Sequence, residues 1–309
     1  RYSRMVALAN TFFVGALGGI VCFISLLTNS FNLLIMGAFI LGIGQSASLQ
    51  TRYASSFIVK EEFRATALSL AVWFSVFGSV FGPRLVGQYS DTFNDIFGSE
   101  LIVAYLIATI GFLLAGICVI GLTDKSSLLR LPVISEHTST KTKLDVKAKQ
   151  LTMLLVVNHF VMVIIMAATP LHVQDIGETI KVVGTIISYH TLGMFVFSPI
   201  LGRFVDKVGS KKVSICGGFI LLISCIFALN SEDIILLHLS LFLLGLGWNF
   251  NYVSISSEIS KYSIEKNTNL NIKSDSFVFV GSVFAQSSLG LTYTVIGFQG
   301  LVILSLIHI

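Results

Sequence analysis

Residues 201–213 read LGRFVDKVGSKKV, a short basic stretch set between two long apolar runs, 182–201 and 213–229. Arg203, Lys207, Lys211 and Lys212 suit a membrane surface, and Gly202 and Gly209 permit a tight reversal of the chain. Asp206 is the one acid among them. It stands where a carboxylate can meet those cations or the positive N-terminal end of a helix. The stretch reads as a connector that turns the chain back into a bilayer.

The flanking sequence bears this out. Apolar runs recur at 5–27, 31–51, 66–87, 101–122, 151–172, 182–201, 213–229, 234–256 and 276–296, with an apolar remnant from Phe298. At about 1.5 Å per residue, a helix of about 20 residues crosses a hydrocarbon core about 30 Å thick and satisfies its own backbone. Hydrophobic residues make up 54% of the 309 and charged residues 12%, against about 45–50% and about 25% in soluble domains. A water-soluble domain is excluded, and nine spans are predicted. The first run is no secretory signal, because it has no early cleavage pattern and another span follows at once. Cys22, Cys118, Cys216 and Cys225 all fall inside spans without ligand spacing and are expected to pack as small apolar groups.

If Arg1 starts on the cytoplasmic side, all of the 20 Lys and Arg except Arg84 and Lys181 fall at that side. The outer loops hold Asp91, Asp95, Glu100, Asp175, Glu178, Glu232 and Asp233. The net charge of +4 is thus a matter of orientation against an anionic inner leaflet, and it makes no case for nucleic acid. The sequence holds no His pair at zinc spacing, no phosphate loop with its Lys and no Gly-x-Ser-x-Gly elbow. No catalytic residue, metal or cofactor is expected.

Residues 123–150 are polar, basic and rich in Ser and Thr, and read as a cytoplasmic linker between a half at 1–122 and a half at 151–309. The halves repeat. FILGIG at 39–44 matches FLLGLG at 242–247 with an offset of 203, and GSVF at 78–81 recurs at 281–284 with the same offset. Both copies start from one side of the membrane, so the repeat is parallel.

Polar residues sort by span. The first, fourth and seventh spans carry little beyond Asn10 and hydroxyls and are expected to face lipid. The second, fifth, sixth, eighth and ninth carry Gln45, Gln50, Asn158, His159, His190, Asn249, Asn251 and Gln286, the candidates for a central cavity, with Arg52 and Tyr53 at the inner end of the second. His159 is ionisable within the membrane and is a candidate for substrate or proton contact, or for a hydrogen-bonded packing role. Asn158 precedes it directly, so the two do not share a helix face. His190 can cap a polar pocket without titrating, and Trp248 reads as an interfacial anchor. No acid lies well inside a span.

The order Gly202, three residues, Asp206, Lys207, one residue, Gly209, one residue, Lys211 resembles the signature loop of the major facilitator superfamily. RYSRM at 1–5 resembles the tail of the same loop in the other half, with Arg1 in the place of Lys207 and Ser3 in the place of Gly209. The resemblance implies an all-α polytopic bundle of two six-helix halves, of which this chain carries the third helix into the twelfth, truncated at both ends. The expected lipid-facing spans then fall on the peripheral third, sixth and ninth helices. The loop becomes a gate that latches the cytoplasmic side in one state. GSVFGPRLVG at 78–87 falls on the fifth helix and resembles the antiporter signature, with Gly78 and Gly82 on one face for close approach, Pro83 as a kink and Gly87 closing it. Ser69 and Val86 stand where that pattern has glycine, and Ala38 where the fourth helix usually has Arg.

The function implied is secondary active transport by alternating access, most specifically efflux of a small organic, drug-like solute in exchange for protons. Nutrient uptake by the same fold is the alternative, and a non-transporting sensor or assembly subunit a third reading. The expected setting is a monomer in a prokaryotic cytoplasmic membrane.

Overall fold

The computed structural model describes residues 4–57, 59–99, 101–123, 145–178, 180–266 and 268–308. They form α1 (Arg4–Leu27), α2 (Phe31–Phe57), a 3-10 turn (Glu61–Phe63), α3 (Arg64–Trp73), α4 (Ser75–Phe97), α5 (Ile102–Thr123), α6 (Val146–Asp175), α7 (Ile180–Phe195), α8 (Ser198–Val208), α9 (Ser210–Ala228), α10 (Ile234–Glu265) and α11 (Leu270–His308). Among the described residues there is no strand. Most of the linker, 124–144, lies outside them. Its last five residues, 146–150, belong instead to α6, which Asp145 caps by accepting the Ala148 N–H at 2.8 Å.

Among the described residues eight helices are long and apolar enough to cross a membrane, where nine runs were expected. The run at 66–87 is the one that differs. Its helix breaks at Phe74, leaving α3 with 10 residues, and α4 continues into the polar stretch around Asn94 and Asp95. The sixth run is also divided, because Pro199 has no N–H to offer and opens α8 after a turn at 196–197. The ninth run and the remnant from Phe298 join in α11 across Gly297, whose φ of 66° is a conformation glycine tolerates.

The helices cluster in two compact units. The first takes α1, α2 as far as Ala54, α4 and α5; the second takes Ser55–Val76, with α3, and α6–α11. Helix α3, in sequence part of the half expected at 1–122, goes with the second unit.

Within the first unit small residues let backbones meet. A Cβ on Gly15 of α1 would lie 2.8 Å from Gly44 Cα of α2 and 3.1 Å from the Phe112 ring of α5. Lipid gives no hydrophobic drive for one helix to join another, so close packing of this kind carries the association. In the second unit α10 is the central helix, and glycines again set its contacts. A Cβ on Gly217 of α9 would meet Phe250 Cβ at 2.8 Å, and one on Gly247 of α10 would meet Leu221 at 2.8 Å. Cys22 and Cys225 are buried as expected, whereas Cys118 and Cys216 are exposed on the outward faces of α5 and α9.

Candidate functional site

Helix α3 begins badly. Phe63 stands at its N-cap position and offers no side-chain acceptor, so the first amide donors need partners from elsewhere. Asp206 of α8 supplies them. Its Oδ1 accepts the Ala65 N–H at 3.1 Å, and its Oδ2 accepts the Thr66 N–H at 2.9 Å and the Thr66 hydroxyl at 2.6 Å. The carboxylate therefore caps a helix far from it in sequence, at the end where the helix dipole favours negative charge. Of the two partners open to Asp206, it takes the helix end; Arg203 and Lys207 beside it are exposed.

The signature stretch is built differently from the expected loop. Gly202 lies inside α8, buried, and only Gly209, with φ 95°, makes the reversal into α9. A Cβ on Gly202 would run into the Ser69 hydroxyl and lie 2.7 Å from the Ala65 carbonyl. Glycine is needed there because α3 presses its backbone against α8. Lys211 and Lys212 follow on the exposed side of the first turn of α9.

Around this clasp the same end of the unit carries further links. The buried hydroxyls of Ser56 and Ser260 lie 2.6 Å apart. Glu61 stands 3.7 Å from Arg64 and 3.8 Å from Lys261, and Lys147 pairs with Glu258 at 2.9 Å. These ion pairs are partly solvated, so each adds little beside the clasp.

Deeper in the unit, α6 meets α10 through side chains. The Trp248 indole N–H donates to His159 Nδ1 at 3.3 Å, and Trp248 stacks on Tyr252 with ring centroids 4.2 Å apart. With Nδ1 accepting, neutral His159 carries its proton on Nε2. Asn158 Nδ2 donates to the Trp248 carbonyl at 3.3 Å, Asn251 Nδ2 donates to Asn158 Oδ1 at 3.1 Å, and Ser214 donates to Asn251 Oδ1 at 2.8 Å. This chain ties α9, α10 and α6 together. Asn158 is buried and His159 half-buried, and both reach Trp248, one at its carbonyl and the other at its indole. Trp248 is 3% exposed and no interfacial anchor. Helix α10 runs on to Glu265, which places Trp248 near its middle.

His190 is wholly buried on α7, where its Nδ1 bonds the Leu241 carbonyl at 2.8 Å and must therefore carry the proton. Its Nε2 has no partner among the described residues. Asn249 accepts from Ser198 at 3.0 Å and is also fully buried. Gln286, on α11 of the same unit, is exposed and makes no contact with the residues named around Trp248; Gln45 is exposed on α2 of the first unit. In the first unit Arg52 is 2% exposed, donates to the Leu49 carbonyl at 2.8 Å, and lies 4.3 Å from the Tyr53 ring centroid. Among the described residues a Cβ on Gly78 or Gly82 would meet nothing within 4 Å, so none of them makes the expected close approach at either. They sit on a face of α4 that the described residues leave open, beside the exposed Phe77 and Phe81. Helix α4 passes through positions 83 and 87, and the side-chain surroundings of Pro83 and Gly87 lie outside the description.

Sequence reasoning missed two groups. Thr66 doubles the hold on Asp206, and its only signal was its place just after the acidic pair Glu61 and Glu62 that opens a helix. His172 stacks on Phe298 at 4.3 Å and reaches the Ser231 carbonyl at 3.2 Å, a long-range pairing with no local sequence mark. Among the described residues no cluster could hold a metal ion.

The profile of the Major Facilitator Superfamily matches residues 1–285. Two uncharacterized MFS-type transporters of Bacillus subtilis, YdeG and YddS, are 32% and 30% identical to this chain, each over 82% of it and 62% of the relative's own length. The chain thus spans less than two thirds of these curated relatives. The riboflavin transporter RfnT of Brucella anthropi is 23% identical over 89% of this chain and 69% of its own. Among solved structures, the transporter FucP in its outward conformation aligns over 97% of this chain and 80% of its own with a TM-score of 0.70 at 13% identity. The proton:xylose symporter XylE aligns over 97% and 78% with a TM-score of 0.72 at 13% identity. At such identity the likeness speaks for the fold, an integral multi-pass membrane bundle. The chain belongs to the major facilitator superfamily, a family of transporters and not of enzymes.

Proposed function

We propose that this chain works as a secondary active transporter of small organic solutes by alternating access, with the Asp206 clasp as the fastening of its cytoplasmic side. One observation carries the reading: a single carboxylate holds both free amides and a hydroxyl at the start of α3. Charge-assisted bonds of this kind contribute about 1.5–3 kcal/mol each at most, enough to bias two states yet small enough to be exchanged during a cycle. In the full-length protein, Asp206→Asn keeps a cap but loses the charge, and Asp206→Ala loses both. Flux measured in proteoliposomes should fall at least tenfold for Ala and less for Asn, with insertion intact. Unchanged flux in Asp206→Ala would sink the gating role.

Coupling to protons is assigned to His159. Protonation at Nδ1 would remove the acceptor that Trp248 uses, and so would free the indole that stacks on Tyr252. The direction proposed is efflux in exchange for protons, on the antiporter-like residues Gly78, Gly82, Pro83 and Gly87. Uptake is the second reading, favoured by the similarity to a riboflavin transporter and to a proton:xylose symporter. An imposed pH gradient in oriented vesicles separates the two by the sign of solute movement. The bacterial relatives favour a prokaryotic cytoplasmic membrane, and the working unit proposed is the monomer.

A further inference from the structure

The far end of α6 from the Asp206 clasp carries a histidine that the transport reading leaves unused. His172 lies in the last turn of the helix and is 9% exposed. Its ring stacks on Phe298, with centroids 4.3 Å apart and an interplanar angle of 11°. Its Nε2 lies 3.2 Å from the Ser231 carbonyl, which can only accept, so Nε2 bears a proton in either charge state. One side chain thereby joins α6 to the turn before α10 and to the segment that follows Gly297. Two further bonds close the same end. The Tyr293 hydroxyl donates to Asp175 at 2.6 Å, and Gln299 donates to the Leu229 carbonyl at 3.3 Å.

The surroundings of this ring suit a cation. The C-terminal end of α6 presents the negative pole of the helix dipole and carbonyls without an intrahelical partner. The Phe298 ring lies within the distance at which an aromatic face attracts a positive charge. The bond to Ser231 becomes charge-assisted once the imidazole is charged. The charged neighbours agree in sign: Asp175 and Glu178 at the end of α6, and Glu232 and Asp233 before α10. Of the other ionisable groups at this end, Tyr293 of α11 is bonded to Asp175, His238 of α10 lies 2.7 Å from the Ile234 carbonyl, and Cys225 of α9 is buried. No Lys or Arg occurs in 150–180, 213–260 or 274–309. Lys181 follows in the first turn of α7, and its side chain lies outside the description. Only burial opposes the charge.

We propose that His172 is a proton-binding site open to the outer compartment, and that the charged ring fastens Phe298 and the 229–233 turn to the end of α6. The proposal rests on the transporter reading for its orientation, which puts this end outside. Acid outside then tightens the junction, whereas the neutral ring keeps an ordinary hydrogen bond and a ring stack. The site is distinct from His159, which stands 13 residues, about 20 Å, back along α6.

The test uses the full-length protein in nanodiscs without solute. His172→Phe keeps a ring to stack on Phe298 but cannot take a proton. Nitroxide labels are placed at the exposed Val295 and Ile235, on the two segments that the junction joins to α6. Between pH 8 and pH 5, which bracket the charge change of an ordinary imidazole, the distance distribution of the parent should narrow about twofold, and that of His172→Phe should stay as it is. NMR of the parent with 15N-labelled histidine should show a ring that gains a proton over the same range and is missing from the variant, with His172→Gln as a second variant for the assignment. A parent distribution that does not change, equal narrowing in His172→Phe, or a His172 ring still neutral at pH 5 would overturn the proposal. Neither readout involves flux, so a failure here leaves the transport reading standing, and a failure of the Asp206 variants leaves the proton site standing.

Discussion

Helix α10 is held on one flank by backbone and on the other by side chains. Against α7, a Cβ on Gly193 would strike the Phe242 carbonyl, and one on Gly245 would strike the His190 carbonyl and lie 3.0 Å from the Met194 amide. Against α6, contact runs through Asn158, His159, Trp248 and Asn251 at 3.1 to 3.3 Å. A backbone crossing has no adjustable part and either forms or does not. A crossing made of side chains can exchange partners or take up a proton. The two intramembrane histidines divide accordingly: His190 is spent on the fixed flank, and His159 belongs to the adjustable one.

The largest effect should come from the fixed flank. Gly245→Leu must push α7 off α10, and overpacking of this kind costs about 1–3 kcal/mol or more. We expect loss of the monodisperse detergent-solubilised protein in size-exclusion chromatography; a stable variant would show that the crossing tolerates separation. Next come the histidines. His190→Leu should lower the melting temperature while the pH profile of transport stays in place, because its bonded ring nitrogen is a packing group. His159→Leu should do the reverse, shifting the profile with little change in stability. If the two variants behaved alike, the distinction between the flanks would fail.

A smaller effect is expected within the adjustable flank. A double-mutant cycle over Asn158→Ala and Asn251→Ala should give a coupling near the average for interhelical hydrogen bonds in membranes, about 0.6 kcal/mol. A value several times larger would make this flank as rigid as the other. The smallest lies outside the bilayer. The Ala148 amide, and then the Tyr262 hydroxyl, hold the Asp145 carboxyl below the ordinary carboxylate range. Its contribution is therefore present above the unfolded value of about 4 and is lost as pH falls through the lower folded value. Melting curves of the parent and Asp145→Ala should differ slightly at pH 7 and converge at low pH.

The fold was legible because lipid imposes few options: apolar runs of spanning length, cations on one side and a repeat at a constant offset leave room for little else. The Asp206 stretch was legible as chemistry, but its partner was not, since nothing near Thr66 announces a carboxylate so distant in sequence. The site residues were sorted by polarity alone, and that criterion cannot tell a hydrogen bond between helices from a ligand contact. Asn158 and Asn251 bond one another between α6 and α10. Trp248 was misplaced because its helix extends beyond the apolar run into a polar segment ending at Glu265, which moved the midpoint. Gly78 and Gly82 followed a pattern whose close neighbour is not found among the described residues.

The cap on α3 also constrains how the protein is made. Residues 64–73 leave the ribosome with no acceptor of their own at the N-cap, and the carboxylate that completes the helix start belongs to residue 206, synthesised long afterwards. The segment Ser55–Val76 accordingly joins the later-made unit rather than the one that precedes it in translation. Until α8 emerges, this part of the membrane-inserting chain is left with amide donors that only water, lipid headgroups or a chaperone can satisfy.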